Sequence, residues 1–373
     1  MRDVCVIMPT IRSPQCLGEY FAAMDEATKR RIFTLILTED HCDRAPQRAV
    51  LRDHGVEGAV LGQGDRDGWF ADHRASHHAD LIPKRSHAET SFGLLWMAAD
   101  TSLRTGIFLD DDTWPVADNP LVSMHLANLE HEGPIQTLRS TSRWVNVLHH
   151  SPRTRRMYPR GYPYGAMSEE LTTSMAKHGP VIASQGLWTA VPDLDAARIA
   201  SLGGVNGVPS VHLETSDFGG LFNVAPGDYL TVCSMNLAFR REAIPAFYQL
   251  PMDDNPWKVG RFDDIWSGVM LKRIADARGA SILSGPPLCD HRKAPRSVFR
   301  DLFAEAAGLD INEQLWRLVE DIPLEASMTW SESFSALAQG LAKVDSARLL
   351  NGAFVPWMAD RMKAWVDCCD NLA

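Results

Sequence analysis

The chain has 373 residues, of which 45% are hydrophobic and 23% are charged, as in most folded globular proteins. Its 37 Lys and Arg residues against 47 Asp and Glu residues give a net charge of −10, which argues against a nucleic-acid-binding protein because such proteins usually carry a basic face. The seven cysteines are odd in number and include no CxxC pair, so neither a disulfide framework nor a structural zinc site is indicated.

The first segment of the chain predicts a strand, a helix and a second strand. Residues 4–8 form a short apolar run that ends at Pro9, residues 14–31 have helical character, and residues 32–37 are a second apolar run. This order predicts a βαβ unit with parallel strands and ligands at their carboxyl ends. The first run is too short for a signal peptide and no stretch is long enough to span a membrane, so we expect a cytoplasmic protein with reduced thiols and no membrane partner.

A helix over residues 91–99 and a third strand over residues 106–109 come next, and three aspartates follow directly, Asp110, Asp111 and Asp112. Adjacent carboxylates repel one another unless a cation neutralises them, and Mg²⁺ or Mn²⁺ prefers oxygen ligands and bridges to phosphates. The alternative is a solvated acidic turn. The buried run before the triplet favours a metal site.

The rest of the chain divides into an irregular middle and a helical end. Residues 140–235 are rich in Pro, Gly and aromatic residues and predict loops and irregular strands. A strand is expected over residues 231–239 and a helix over residues 263–277. Residues 298–373 have helical spacing, with helix-like runs at 311–319 and 334–344. We therefore expect an α/β domain over residues 1–300 and a helical appendage over residues 301–373.

Two polar segments could contribute to a site with the triplet. In Asp290-His291-Arg292-Lys293, a neutral imidazole could complete a metal shell and the cations could meet phosphate oxygens, although a lone histidine is more often a surface or core residue. In Arg261-Phe262-Asp263-Asp264-Ile265-Trp266, one carboxylate could act as a general base or bind a sugar hydroxyl beside the tryptophan, and helix capping is the alternative.

A third segment, Tyr158-Pro159-Arg160-Gly161-Tyr162-Pro163-Tyr164, combines aromatic rings that can stack on a sugar or base with an arginine fork that fits a diphosphate. Its alternative is an aromatic loop that packs on the core. No GxSxG, P-loop or HExxH motif is present, and the pairs His77-His78 and His149-His150 lack companion ligands at metal-site spacing, which favours surface roles for them.

Taken in order, several segments resemble the reversibly glycosylated polypeptide family, which includes the plant UDP-arabinopyranose mutases. The matching segments are Ile7-Met8-Pro9-Thr10-Ile11-Arg12, Phe108-Leu109-Asp110-Asp111-Asp112, Arg160-Gly161-Tyr162-Pro163-Tyr164, Gly186-Leu187-Trp188, Pro192-Asp193-Leu194-Asp195-Ala196, Met235-Asn236-Leu237-Ala238-Phe239, Gly260-Arg261-Phe262-Asp263-Asp264-Ile265-Trp266 and His291-Arg292-Lys293-Ala294. They span about residues 4–300, and their common order is far more specific than any single segment.

The resemblance implies a glycosyltransferase-A-like α/β fold with a mostly parallel central sheet, a UDP-sugar substrate and a Mn²⁺ or Mg²⁺ cofactor. It also implies that Arg160 is the arginine that family members glycosylate reversibly, with ring contraction through a transient sugar–enzyme link. The resulting site residues are Arg160, Asp263 and Asp264 for catalysis; Asp110, Asp112 and His291 for the metal; Pro9, Thr10, Arg12, Asp40, Asp110, Asp111 and Lys293 for the nucleotide and diphosphate; and Tyr162, Tyr164, Trp188, Asn236 and Trp266 for the sugar.

One position departs from the family pattern, since its motif ends in a second arginine where this chain has Met167. A methionine cannot pair with a phosphate, although Arg153, Arg155 or Arg156 could replace the missing cation. Three functions are therefore open: a UDP-sugar mutase that interconverts pyranose and furanose forms, a glycosyltransferase with a separate acceptor, and a non-catalytic UDP-sugar-binding subunit. A homo-oligomer is also left open.

Overall fold

The structure, a computed structural model, describes residues 2–252 and 255–372. These residues form a large β-sheet with helices packed against it. The strands are β1 Val4–Pro9, β2 Ile32–Leu37, β3 Glu57–Leu61, β4 Thr105–Leu109, β5 Thr113–Pro115, β6 Pro134–Ser140, β7 Trp144–Val145, β8 Leu171–Lys177, β9 Val181–Ala190, β10 Phe222–Val224, β11 Tyr229–Leu230, β12 Asn236–Arg240 and β13 Ser281–His291. The helices are α1 Gln15–Ala22, α2 Glu26–Lys29, α3 Ala45–Asp53, α4 Gln63–Asp72, α5 Thr90–Ala99, α6 Leu121–Leu129, α7 Ala196–Ser201, α8 Asp263–Ala277, α9 Val298–Glu320, α10 Trp330–Leu341 and α11 Phe354–Leu372.

The main sheet has the strand order β3-β2-β1-β4-β12-β9-β13-β10-β6-β8, and β5 pairs with β13 beside this path. The strands β3, β2, β1 and β4 are parallel, which confirms the predicted βαβ unit, and β1 and β2 are fully buried as expected for strands covered on both faces. Beyond β4 the sheet is mixed, because β12 runs antiparallel to both of its neighbours. The predicted α/β class with carboxyl-terminal helices is confirmed.

The middle of the chain contains more sheet than its composition predicts. Strand β9 is ten residues long and lies almost wholly in the core, yet it includes Ser184, Gln185 and Gly186. Its polar side chains are buried with partners, since the Gln185 side chain accepts a hydrogen bond from Cys233 N at 2.8 Å and donates one to Gly186 O at 2.7 Å. A strand of this composition has no apolar run, so periodicity does not reveal it.

Strand β13 was also not predicted. Its pairing with β5 places the end of β13 beside the acidic triplet. Its final residue, His291, is opposite Thr113 of β5, which directly follows the acidic triplet. The predicted strand over residues 231–239 begins only at Asn236, whereas the helix predicted over residues 263–277 is confirmed as α8. The region predicted over residues 14–31 is divided into α1 and α2.

The carboxyl-terminal helices pack on the α/β sheet. Helix α9 contacts α7 and α8, and α11 contacts α5, so their buried apolar residues join one continuous core. Both predicted helical runs lie within or overlap these helices, while α11 was not predicted as a separate element. The division into domains at residue 300 stays a prediction. No helix in the described part of the chain combines the length and apolar character needed to cross a membrane.

Candidate functional site

The acidic triplet lies at the carboxyl end of β4, the centre of the sheet. A turn carries the chain from β4 into β5, held by hydrogen bonds from the Thr113 amide to Asp110 O at 3.2 Å and from the Asp110 amide to Met235 O at 3.3 Å. The pairing of β5 with the end of β13 then brings Asp112 beside His291. The three carboxylates therefore border a cavity of about 490 Å³, a volume typical of small-molecule sites.

The carboxylates of the triplet have different surroundings. Asp111 accepts a hydrogen bond from Thr10 Oγ1 at 2.7 Å, and Arg12 lies 3.8 Å from its other oxygen. Burial raises the pKa of Asp111, which marks it as a costly place for an uncompensated charge. Asp112 instead lies 3.7 Å from His291 Nε2. Burial alone would raise the pKa of Asp112, but its interactions with His291 outweigh that effect and lower it.

A backbone carbonyl group fixes the orientation of the His291 imidazole. Its Nδ1 lies 2.6 Å from the Val191 carbonyl oxygen, so Nδ1 carries the hydrogen and donates it, and Nε2 points toward Asp112. A ligand histidine is commonly oriented in this way by a carbonyl acceptor. Without a metal, the nearby Asp112 raises the pKa of His291 despite its burial. Carboxylate oxygens with one oriented imidazole are a donor set that fits Mn²⁺ or Mg²⁺, so the residues present fit the implied cofactor.

A second part of the cavity lining is built around Arg160. Its Nη1 and Nη2 donate to the two oxygens of Asp264 at 3.0 and 2.9 Å, and its Nε donates to Asp193 at 3.2 Å. Nη1 also donates to the Arg261 carbonyl at 2.7 Å. Burial alone would lower the pKa of Arg160, but Asp193 and Asp264 raise it well above its usual value, so the guanidinium is charged and held on every nitrogen.

The loop that carries Arg160 depends on a glycine and on α9. Gly161 has φ +85°, and a Cβ there would lie 2.2 Å from Ile265 Cγ2, so only glycine fits this close approach. Asn312 of α9 donates to Gly161 O at 3.0 Å and accepts from Trp266 Nε1 at 3.1 Å. Glu313 accepts from the Gly165 amide at 2.9 Å, so α9 fixes the loop from behind.

Further cations surround the opening of the cavity. Lys293 lines it, and burial lowers the pKa of this lysine. Arg261 is held by Glu305 at 2.8 Å, and Arg296 by Asp301 at 2.8 Å; both acidic residues belong to α9. The lining therefore combines six carboxylates with five Lys and Arg side chains and His291, and helix α9 positions two of these cations.

Most of the predicted catalytic, metal and diphosphate residues meet in this cavity. Its lining includes Pro9, Arg12, Asp110, Asp111, Asp112, Arg160, Asp263, Asp264, His291 and Lys293. Thr10 is buried behind it through its bond to Asp111. Asp40 follows β2, accepts hydrogen bonds from the Gly64 amide at 3.2 and 3.1 Å and pairs with Arg44 at 2.7 Å, outside the lining.

The five residues predicted to contact the sugar do not line the cavity. Tyr162, Trp188, Asn236 and Trp266 are buried in the core. Asn236, for example, donates to Leu187 O and Pro287 O, both at 3.0 Å. Tyr164 is partly exposed, but its hydroxyl donates to Asp195 at 2.8 Å and its ring lies under Arg198. Aromatic residues in a Pro- and Gly-rich segment serve packing here, so the direct sugar contacts predicted for them find no support in this geometry.

The cavity also contains residues that were not predicted as site residues, namely Asp193, Met235, Arg261 and Arg296. Asp193 and Arg261 stand inside segments of the family resemblance, which was the available indication. Met167, at the position of the second family arginine, is exposed and outside the lining. The suggested replacements also lie elsewhere, because Arg153 pairs with Asp217 while Arg155 and Arg156 pair with Glu169.

Comparison with known proteins places these observations in a family context. Residues 80–373 match the family profile described as reversibly glycosylated polypeptide. The chain is 29% identical to a protein of Pisum sativum named probable UDP-arabinopyranose mutase 1, over 99% of this chain and 91% of that protein. It is 28% identical to UDP-arabinopyranose mutase 1 of Arabidopsis thaliana, over 99% of this chain and 93% of that protein.

Solved structures give a weaker likeness. Glucosyl-3-phosphoglycerate synthase of Mycobacterium tuberculosis, in a complex with Mn²⁺, UDP and phosphoglyceric acid, superposes with a TM-score of 0.42 at 13% identity, over 87% of this chain and 80% of that chain. Its complex with Mn²⁺ and UDP-glucose gives a TM-score of 0.40 at 12% identity, over 84% and 79% of the two chains.

Proposed function

We propose that this chain, which belongs to the reversibly glycosylated polypeptide family, is a metal-dependent enzyme that binds a UDP-sugar in the cavity at the end of β4 and interconverts its pyranose and furanose forms. The observation that carries the proposal is the pairing of two unlike walls across one cavity. We call the side with Asp110, Asp111, Asp112 and His291 the acidic wall, and the side with Arg160, Asp193 and Asp264 the arginine wall.

The acidic wall supplies the site for the diphosphate. Asp110, Asp112 and His291 would hold the Mn²⁺ or Mg²⁺ ion, and such an ion would supply positive charge to stabilise UDP as a leaving group. Lys293 and Arg12 line the same cavity and can donate to phosphate oxygens. Asp40 follows the carboxyl end of β2, the edge at which such sheets bind their ligands, and is the proposed contact to the uridine.

The arginine wall supplies the group that would take the sugar. When the bond between the anomeric carbon and the diphosphate oxygen breaks, its electron pair leaves with UDP, and a nitrogen of Arg160 attacks the anomeric carbon. Asp264 is in place as the general base for this step, because its oxygens already accept from Nη1 and Nη2. Since the pKa of Arg160 is raised, proton transfer must accompany formation of the carbon–nitrogen bond.

The linked sugar can then change its ring. The ring oxygen takes the proton held by Asp264 as it leaves the anomeric carbon, which becomes an iminium on the arginine. A different hydroxyl then closes on that carbon and gives its proton back to Asp264. A diphosphate oxygen of the retained UDP attacks next, the carbon–nitrogen bond breaks, and Asp264 returns the proton to Arg160. Asp193 accepts from Nε throughout and keeps the guanidinium aimed into the cavity.

The proposal is tested by incubating the pure protein with UDP-arabinopyranose and Mn²⁺, following the ring forms by NMR and weighing the intact protein. A furanose signal and a pentose adduct are expected, and Arg160→Ala should remove both. Arg156→Ala is the matched control, because Arg156 pairs with Glu169 away from the cavity. A product that forms only with an added acceptor would indicate a glycosyltransferase instead, and binding without turnover would indicate a non-catalytic subunit.

A further inference from the structure

A second cluster of ligand-type side chains lies outside the cavity. His77 and His78 belong to a short 3-10 helix, Ser76–Leu81, and Asp367 belongs to α11. One potential ligand atom from each of the three residues lies within 4.8 Å of the others. Tertiary packing therefore gives the His77-His78 pair the companion ligand that the sequence around it lacks.

The geometry of the cluster is more specific than a surface ion pair. His78 Nε2 lies 3.1 Å from Asp367 Oδ2, and the His78 side chain is only 7% exposed. The two imidazole rings have their centroids 4.0 Å apart, at an interplanar angle of 41°. A cation between the two rings and the carboxylate would bind both imidazoles in their neutral form.

We propose that His77, His78 and Asp367 form a binding site for a divalent transition-metal ion of the zinc class. Two imidazole nitrogens and one carboxylate oxygen, with a further position open to water, are a ligand set that zinc accepts. Harder ions such as Mg²⁺ and Mn²⁺ prefer sites dominated by oxygen, as on the acidic wall. The two sites therefore differ in the ion that they select.

The proposed site is separate from the reaction cavity. His77 lines a different cavity of about 790 Å³, whose lining residues include none of those around the acidic triplet. Its cationic neighbour Arg361 is engaged by Asp80, which reduces the repulsion that an arriving metal ion would meet. A bound ion would join the segment before α5 to the last helix of the chain.

This joint would strengthen a contact that the fold already makes. Helix α11 packs against the 3-10 helix and against α5, and Trp365 stacks on Tyr248 with ring centroids 4.6 Å apart. A metal ion that binds only the folded protein stabilises it in proportion to the logarithm of its concentration. The inferred role is therefore metal-linked anchoring of α11, independent of the proposed UDP-sugar chemistry.

The test is titration of the full-length, metal-free protein with Zn²⁺ by calorimetry, with the melting temperature followed in parallel. We expect one zinc ion per chain at this site and a rise in Tm of about 3 °C at a hundredfold excess over Kd. His77→Ala and Asp367→Ala should each weaken this binding at least about tenfold and, at the same zinc concentration, reduce the rise in Tm by about half or more. Both side chains are exposed, so neither change opens the core.

Matched controls separate this site from its surroundings and from the acidic wall. His73→Ala removes a nearby exposed histidine that stacks on Trp69, and Asp360→Ala removes an exposed carboxylate of the same helix; both should keep zinc binding unchanged. Asp112→Ala should also keep zinc binding at this site, while Mn²⁺-dependent UDP binding becomes about a hundredfold weaker. The inference is overturned if His77→Ala and Asp367→Ala bind zinc like the parent protein, or if only Asp112→Ala reduces zinc binding.

Discussion

The two walls of the cavity solve the problem of buried charge in different ways. On the arginine wall, Asp193 and Asp264 share one guanidinium, with hydrogen bonds of 2.9 to 3.2 Å, and the charges are matched inside the protein. On the acidic wall, Asp112 lies 3.7 Å from the buried His291 and Asp111 lies 3.8 Å from Arg12. The arginine wall is complete by itself, whereas the acidic wall gains most from an additional cation.

The difference between the two walls agrees with the different roles proposed for them. On the arginine wall, the ion pairs hold Arg160 in one geometry. This suits its proposed role, in which it must approach the anomeric carbon of the sugar. A cluster of carboxylates such as the acidic wall is suited to bind a cation, in keeping with the proposed metal and diphosphate site. The following variants test whether the walls differ in this way, beginning with the largest expected effect.

Asp264→Asn should lower turnover about a thousandfold, because the amide keeps the shape of the side chain but cannot take a proton from Arg160. UDP affinity, which depends on the other wall, should stay within about threefold. Single-turnover NMR and calorimetric UDP titration would measure the two effects. Equal losses in binding and turnover would contradict the division of labour between the walls.

Asp193→Ala should destabilise the fold by about 3 kcal/mol, because it removes one of the two carboxylates that pair with the buried Arg160 among the described residues. Urea unfolding with unchanged m-value would measure the loss. Asp360→Ala, which removes an exposed carboxylate, serves as the control and should have little effect. A loss below about 0.5 kcal/mol for Asp193→Ala would mean that the ion pair between Asp193 and Arg160 does not stabilise the fold.

Asp112→Ala should weaken Mn²⁺-dependent UDP binding about a hundredfold, because it removes a ligand and leaves His291 without its acidic neighbour. A chelator should do the same to the parent protein and add nothing to the variant. Asp290→Ala is the control, since that neighbouring carboxylate pairs with Arg292 outside the cavity. If UDP affinity is identical with and without chelator, the acidic wall is not a metal site.

Met167→Arg should change mutase activity by less than about threefold, the smallest effect of the series. The position is exposed and lies outside the cavity, so the added cation has no direct path to the diphosphate in this fold. Initial rates of furanose formation would show this. A rise of more than tenfold would mean that the loop reaches the substrate when UDP-sugar binds.

Sequence reasoning predicted the acidic wall better than the arginine wall for a physical reason. The triplet is contiguous and follows an apolar run, so both its chemistry and its place at a strand end can be read locally. The arginine wall joins residues 160, 193 and 264, and only the family resemblance placed Arg160 and Asp264 in one site. Asp193 was missed because its partner is thirty-three residues away in sequence.

The aromatic residues predicted to contact the sugar illustrate what local sequence leaves open. Tyr162, Trp188 and Trp266 were predicted to contact the sugar, yet they are buried. An aromatic side chain has the same local sequence environment whether it covers the core or faces a ligand, so composition does not distinguish the two. The direction of each ring is decided by the packing of β9, α8 and α9.

By itself, the sequence determined the α/β class, the parallel unit of β1 and β2, the helix α8 and the family, because these follow from local apolar patterns and from the order of short motifs. Only the tertiary structure decided that β13 brings His291 to Asp112, that α9 holds the arginine loop and the cationic rim, and that Asp367 reaches His77 and His78. Such contacts join residues that are distant in the chain, and the free energy that selects them comes from packing and charge pairing across elements.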